Sequence, residues 1–343
     1  MFQPQYQISP QLLDSLKQIA ILVHDLNQRT WPRVIMAELQ AEAAAVSAYS
    51  STSIEGNPLP LTEVRRLLRQ QPEQARQSEL EVLNYNRALA TLSADWQRPL
   101  TRDLLLHIHA QVMAGLLPPH QNGRFRQEPV VIHNPRTREV IYLPPDHGDV
   151  PALVDDVLAF VRTHQEQMDA VILAGLLHKQ LVIIHPFIDG NGRATRLTTK
   201  LLLAGLGVNT FNLFSFETYY QRNVTRYFQQ VGVLGNYYDI VDSLDFTPWL
   251  EYFAAGILDE LWRVEKEMAQ RQATPETRLQ PYHQTILDYI DAHGFITDKE
   301  YAALTERAKA TRSLDFNKLI ALGLIVRQGQ GRATHYRRAQ DTP

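Results

Sequence analysis

Cysteine is absent from all 343 residues, which excludes disulfides and thiolate metal sites. That absence fits a cytoplasmic protein. Long apolar runs are missing too. The longest, "AVILAGLL" at 170–177, falls well short of the ~18 residues of a membrane span, so no membrane partner is expected. The opening "MFQPQYQISPQ" has neither a basic n-region nor an apolar h-region, and no secretory leader is expected. An excess of one charge is lacking: a net charge of −3 supplies no global attraction to nucleic acid. Internal repeats and low-complexity tracts are not found. Nor are the motifs G-x-x-x-x-G-K-[ST] and H-E-x-x-H, or a G-x-G-x-x-G after a strand.

What is present reads as a mainly α protein. With 44% hydrophobic and 21% charged residues it is an ordinary globular chain, long enough for two or three domains of ~100–200 residues. A first helix is expected after Ser9-Pro10, with Leu12, Leu13, Leu16, Ile19 and Val23 on one face. Residues 33–54 read as an Ala-rich second helix. Ser78 and Glu81 form a capping-box pattern before "LEVLNYNRALATL", and Thr101 an N-cap for "RDLLLHIHAQVMAG". From 123 to 145 the pattern changes to alternating β-branched and polar residues around Asn134-Pro135, the signal of a hairpin. The segment "MDAVILAGLLHKQLVII" is apolar on nearly every side, which belongs at the centre of a domain. Residues 264–280, with Pro275, read as a polar linker. Beyond it, three helical segments and two short strands around a Gly-rich turn predict a winged helix.

The buried helix runs into "HPFIDGNGRATR", residues 185–196. Proline disfavours the α region in the residue before it, so His185-Pro186 breaks the helix. Gly190 and Gly192 permit unusual backbone angles, and a Gly-rich loop opening onto a helix N-terminus gathers N–H groups into an anion-binding nest. Arg193 and Arg196 share a helix face and can reach one oligophosphate. Asp189 offers the hard oxygen that Mg²⁺ prefers. His185 can act as a base near neutral pH. Each feature alone is commonplace; their concentration in one loop after the most buried helix is not. His107 and His109, two apart on a helix, diverge and read as structural.

This stretch resembles the signature of the Fic family, H-P-F-x-[DE]-G-N-G-R-x-x-R, at every fixed position, and the likeness extends over roughly residues 35–255. The resemblance implies a Fic-type helical core that transfers AMP from ATP to a Tyr, Thr or Ser hydroxyl of a protein, itself included, releasing pyrophosphate. His185 would be the base and Asp189 the Mg²⁺ ligand. Gly190, Asn191 and Gly192 would form the phosphate nest. Arg193 and Arg196 would bind phosphates, Arg196 the γ-phosphate, and Phe187 would anchor the loop in the core. The hairpin resembles the family's target-aligning flap through Arg126, Val130 and Ile132, although His133-Asn134-Pro135 stands where glycine is commoner. On the base-binding side, "NVTRYF" supplies Asn223 and Tyr227 but has Phe228 in place of a second tyrosine.

The stretch "SSTSIEGNP" ends the second helix on a glutamate, which faces the unfavourable negative end of the helix dipole. It is similar to the family's inhibitory pattern [S/T]-x-x-x-E-[G/N], carried by Ser51, Glu55 and Gly56. The resemblance implies that Glu55 pairs with Arg196 where a γ-phosphate would sit. The domains expected are an N-terminal helical region with the inhibitory helix (1–95), a catalytic core (96–270) and the winged-helix module (276–343). Two alternatives stay open: removal of AMP or transfer of another nucleotide by the same site, and a nucleotide-sensing DNA-binding regulator. The latter rests on charge. From Arg307 to Arg338, eight Lys/Arg (307, 309, 312, 318, 327, 332, 337 and 338) stand against one acid, Asp315, with Arg312 and Lys318 on the recognition helix and Arg332 in the wing. Such modules equally serve dimerisation or target docking, so a homodimer is an open expectation.

Overall fold

Helices carry the chain, as the 3.6-residue periodicity of its apolar positions predicts. The computed structural model describes residues 2–29, 33–70, 72, 74–134, 137–272, 279–321, 324–329 and 331–339. The chain divides into two units, one of residues 1–27 and 42–263, the other of 28–41 and 264–343. Among the described residues no helix is long and apolar enough to cross a membrane.

The first unit contains α1 (Pro10–Asn27), the end of α2 (Arg33–Ile54), α3 (Leu61–Arg69), α4 (Gln77–Ser93) and α5 (Arg102–Val112). A hairpin of β1 (Ile132–His133) and β2 (Val140–Leu143) follows. Next come α6 (Val150–His164), α7 (Ala170–Ile184), α8 (Asn191–Gly205), α9 (Phe216–Arg222), α10 (Val224–Val231), β3 (Gly235–Asn236), α11 (Tyr237–Ile240) and most of α12 (Thr247–Gln272). Helix α7 is the centre, as its all-round apolarity predicts. Asp169 caps it by accepting from Val171 N at 2.8 Å, and nearly every residue to Ile184 is buried against α6 and α8. Each buried Leu or Ile there contributes ~1.5–3 kcal/mol, which gives the loop after α7 a rigid base.

Several boundaries differ from the sequence reading. Leu13 is exposed and Val23 half-buried, the buried face of α1 being Leu12, Leu16, Ile19, Leu22 and Leu26. The capping box of α4 is Arg76–Glu79, with Glu79 Oε2 accepting from Arg76 N at 2.8 Å. Glu81 is thereby left to point elsewhere. The hairpin is shorter than 123–145: residues before Ile132 run as turns, because Arg126 and Phe125 are drawn into the protein rather than onto a strand ladder. It gains a parallel neighbour in β3, Tyr142 pairing with Gly235. Pro135 lies outside the described residues.

The expected linker at 264–280 begins inside α12, which continues to Gln272. Its polar composition hides Val264 and Met268, four apart and 2% and 1% exposed, which make the stretch amphipathic. Pro275 lies outside the described residues. The second unit also holds α13 (Pro281–His293), α14 (Asp298–Leu304), α15 (Lys309–Ala321) and an antiparallel pair, β4 (Ile325–Gln328) and β5 (His335–Arg338). Ile286, Ile290, Tyr301, Phe316, Leu319 and Ile325 form its core. Three of the eight basic residues in its basic run are paired with acids. Arg307 pairs with Asp315, Arg312 with Asp298 and Arg338 with Asp291, at 2.7, 2.8 and 2.6 Å. Two of those acids lie outside the window in which the charges were counted. The Arg332 side chain is outside the described residues.

Candidate active site

Helix α7 ends at His185, whose φ of 51° is a left-handed conformation that a non-glycine residue adopts at some strain. The following proline keeps it from continuing the helix, and Arg126 holds it there: Nε donates to the His185 carbonyl at 2.9 Å. Arg126 is 5% exposed and meets carbonyls on every side, donating also to Glu128 O and Pro145 O. Burial pushes the His185 imidazole down to about 4, so the ring is neutral at pH 7.

The loop is pinned at two points. Phe187 is 1% exposed and stacks on His109, centroids 3.8 Å apart. Asn191 clamps the same residue, its side chain accepting from Phe187 N and donating to Phe187 O, both at 2.8 Å. Its amide is therefore a brace, and the Gly190 N–H is taken by Asp189 Oδ1. Gly190 has φ 79°, and a Cβ there would lie 2.6 Å from Met113 Sδ, so glycine is required. Helix α8 starts here with unpaired first-turn N–H groups and the positive end of its dipole. Arg193, 4% exposed, bonds Asp189 Oδ1 at 3.3 Å and has Glu81 Oε2 4.0 Å from Nη1, while Nε and Nη1 stay buried without a hydrogen-bond acceptor. Such unsatisfied donors are costly alone and suit an anionic ligand.

The end of α2 lies against this helix start. Gly56, at φ 91°, closes α2 in a Schellman motif: Asn57 N bonds Thr52 O and Gly56 N bonds Ser53 O. Glu55 N turns to Thr52 O, which frees the Ser51 carbonyl. Arg196, 0% exposed, takes all three offerings: Ser51 Oγ at 2.8 Å, Ser51 O at 2.9 Å and Glu55 Oε1 at 2.7 Å. The guanidinium thus caps the negative end of α2 and neutralises the glutamate that the helix dipole disfavours. Burial works against its charge, but Glu55, with Tyr227 and Tyr85, more than offsets this and raises its pKa. A Cβ at Gly192 would overlap the Glu55 carboxylate, so Glu55 also lies over the first turn of α8.

The seam continues inward. Ser47, Ser51 and Glu55 are spaced four apart on α2, and Arg196 and Lys200 four apart on α8. Lys200 Nζ reaches Ser47 Oγ at 2.9 Å and Glu217 Oε2 at 3.2 Å, and the fully buried Glu217 also accepts from Tyr85 and Ser215.

Residues 99–203 match the Fic/DOC family. These residues form a Fic domain. The "Protein adenylyltransferase Fic" of Drosophila erecta is 29% identical over 201 residues, which is 57% of this chain and 38% of that protein. That of Drosophila yakuba is 29% identical over 203 residues with the same coverage. The chain therefore spans under two-fifths of the length of these relatives. Among solved structures, a Fic family protein from Desulfovibrio desulfuricans G20 superposes with a TM-score of 0.65 at 22% identity over 100% of both chains. Fic-1 from C. elegans gives 0.59 at 21%, covering 76% of this chain and 73% of that one.

Within the Fic domain and its flanks, the structure brings together Ser51, Glu55, Gly56, His185, Asp189, Gly190, Asn191, Gly192, Arg193 and Arg196. Of Val130 and Ile132, read as flap residues, only Ile132 lies on a strand of the hairpin. Asn223 is exposed and caps α10, accepting from Arg226 N at 3.0 Å. Tyr227, read as a base-stacking aromatic, is a core residue. It is 1% exposed, its ring stacks on Tyr220, and its hydroxyl meets His178 Nε2 at 3.1 Å. Thr199 donates to Thr195 O, so His178 Nδ1–H donates to Thr199 Oγ1 and Nε2 accepts from Tyr227. Tyr227→Phe should therefore lower stability by ~1–3 kcal/mol, the cost of an unsatisfied buried acceptor. Urea unfolding checks this; unchanged stability would rule out the buried Tyr227–His178 bond. Sequence reasoning missed Glu81, Lys200, Glu217 and Tyr85, whose partners are distant in the chain, and read His109 as structural without its partners. The i, i+4 spacing of Arg196 with Lys200 was the one available signal.

Proposed function

We propose that the Fic domain transfers AMP from ATP to a Tyr, Thr or Ser hydroxyl of a protein, and that Glu55 holds it in an inhibited state. The observation that carries the reading is Arg196: a buried arginine at the phosphate-accepting helix start, paired at 2.7 Å with a carboxylate of the same chain. In the reaction the acceptor hydroxyl gives its proton to His185. Its oxygen bonds the α-phosphorus as the bond from that phosphorus to the bridging oxygen breaks, and pyrophosphate leaves with the electron pair. The N–H groups of Gly192 and Arg193, with the Arg193 guanidinium, hold phosphate oxygens. Arg196 reaches the γ-phosphate once Glu55 releases it.

Asp189 fits Mg²⁺. Its carboxylate is 61% exposed beside the helix start, and among the described residues no group of three His, Cys, Asp or Glu forms a protein cage. One carboxylate plus substrate phosphates and water is the usual Mg²⁺ arrangement. The ion would offset phosphate charge there. Asp189→Ala should weaken Mg²⁺-dependent ATP binding and lower turnover together. Equal activity with and without Mg²⁺ would remove this role.

Incubation of the full chain with ATP labelled at the α- or γ-phosphate tests the reading, with and without lysate. Protein-bound label from the α position alone supports AMP transfer; label from γ replaces it with phosphoryl transfer. A second reading, removal of AMP from a modified protein, draws on the same Glu55 carboxylate, which is 29% exposed and can align a water.

A further inference from the structure

His109 is 0% exposed and lies outside the phosphate-binding loop, yet both of its ring nitrogens are in use. The Gly123 N–H can only donate, so Nδ1 accepts it, at 3.0 Å. The Asp189 carbonyl can only accept, so Nε2–H donates to it, at 2.9 Å. A neutral imidazole has one donor and one acceptor, and both are matched, which sets the tautomer. The ring face is used as well, lying nearly parallel (8°) to Phe187.

The two partners belong to different working parts. Asp189 ends the loop that begins at His185. Gly123 opens the segment leading through Arg126 to the hairpin. That segment is pressed onto α5: Gly123 has φ 68°, a Cβ there would lie 2.8 Å from Ala110 Cβ, and Asn122 Nδ2 donates to Ala110 O at 3.2 Å. Arg126 makes a parallel tie. Its N–H bonds Pro186 O at 3.0 Å, its Nε the His185 carbonyl, and its Nη2 the carbonyl of Pro145, just past β2.

We propose that His109 is a positioning residue that locks the catalytic loop and the root of the flap into one frame, one ring nitrogen for each. A target segment aligned on the hairpin then meets His185 at a set distance. The inference rests on the AMP-transfer reading, and half-replacements separate the two bonds. Gln can present an N–H near the place of Nε2 and lacks the Nδ1 acceptor; Asn can present an oxygen near Nδ1 and lacks the far donor.

In the full chain, His109→Gln should raise KM for the protein target about tenfold with little change in kcat, the worth of one buried hydrogen bond. His109→Asn should lower kcat by about as much with KM for the target little changed. Hydrogen–deuterium exchange gives a readout independent of activity. His109→Gln should speed exchange in peptides covering 123–133 and spare 185–193, and His109→Asn should do the reverse. Parallel changes in both parameters and both segments would overturn the proposal in favour of plain structural support. If the wild type transfers no AMP, the functional reading fails while the exchange pattern still decides the role of His109. Should a variant not fold, wild-type exchange with and without ATP decides. The two segments must gain protection together, and protection of 185–193 alone would sink the lock.

Discussion

His185→Ala is expected to lower AMP transfer by ~10²–10⁴-fold, the usual worth of a general base, while ATP binding stays nearly intact. The ring stands at the end of α7, apart from the phosphate contacts proposed for the start of α8 and Arg193. Transfer should also show an unusual pH profile. A solvent-exposed histidine loses its basic form near its ordinary pKa of ~6.5. Burial brings His185 down to about 4, so its neutral form persists and kcat/KM should stay flat from pH 8 to pH 6. The sign follows from desolvation: the protonated form is the disfavoured one, so acid has to reach the folded-state pKa before the base is lost. A profile falling with a midpoint near 6.5 would contradict the buried base. Undiminished turnover in the alanine variant would dismiss His185 altogether.

The geometry of the loop at 185–196 is legible in the sequence because its determinants are local. A pre-proline break, two glycines and two arginines at i, i+3 all act on neighbours within one stretch. The central position of α7 is legible for a similar reason, since apolarity on every face leaves no side for water. What escapes is whatever depends on the partner's identity. His109 sits two residues from His107 on the same helix, and only packing turns one to solvent and the other onto Phe187 and Asp189. Tyr227 lies on an amphipathic helix, and periodicity does not say which neighbour its apolar face will meet. The C-terminal charge count overstates the unpaired charge, because Asp298 in α14 and Asp291 in α13, outside the counted window, pair with Arg312 and Arg338. Glu55 is the intermediate case. Its awkward place on the helix dipole is visible in the sequence, and the Arg196 guanidinium that offsets it is supplied by the fold.

Glu55→Gly is expected to raise self-modification. The carboxylate holds Arg196 at 2.7 Å and overlies Gly192, so it excludes an anion from the first turn of α8. Its removal frees the arginine for the γ-phosphate. The size of the gain is bounded by the equilibrium it relieves: a closed-to-open ratio of 99:1 corresponds to ~2.7 kcal/mol, so at most about a hundredfold increase follows. Stability should fall as well. Breaking a buried ion pair costs ~3–5 kcal/mol when the remaining charge is uncompensated. Here Ser51 Oγ and its carbonyl still bond Arg196, which keeps the loss toward the lower end. Ser51→Ala should act in the same direction more weakly, because it removes one hydrogen bond and leaves the carboxylate in place. The deciding comparison adds Arg196→Ala to Glu55→Gly. If the gain comes from a released arginine, the double variant loses it; if it comes only from an emptied anion site, the double variant keeps it. A different result would change the reaction assigned to the site. Should Glu55→Gly lower AMP transfer, or abolish removal of AMP from a premodified protein, then the carboxylate activates water and Glu55 is catalytic rather than inhibitory.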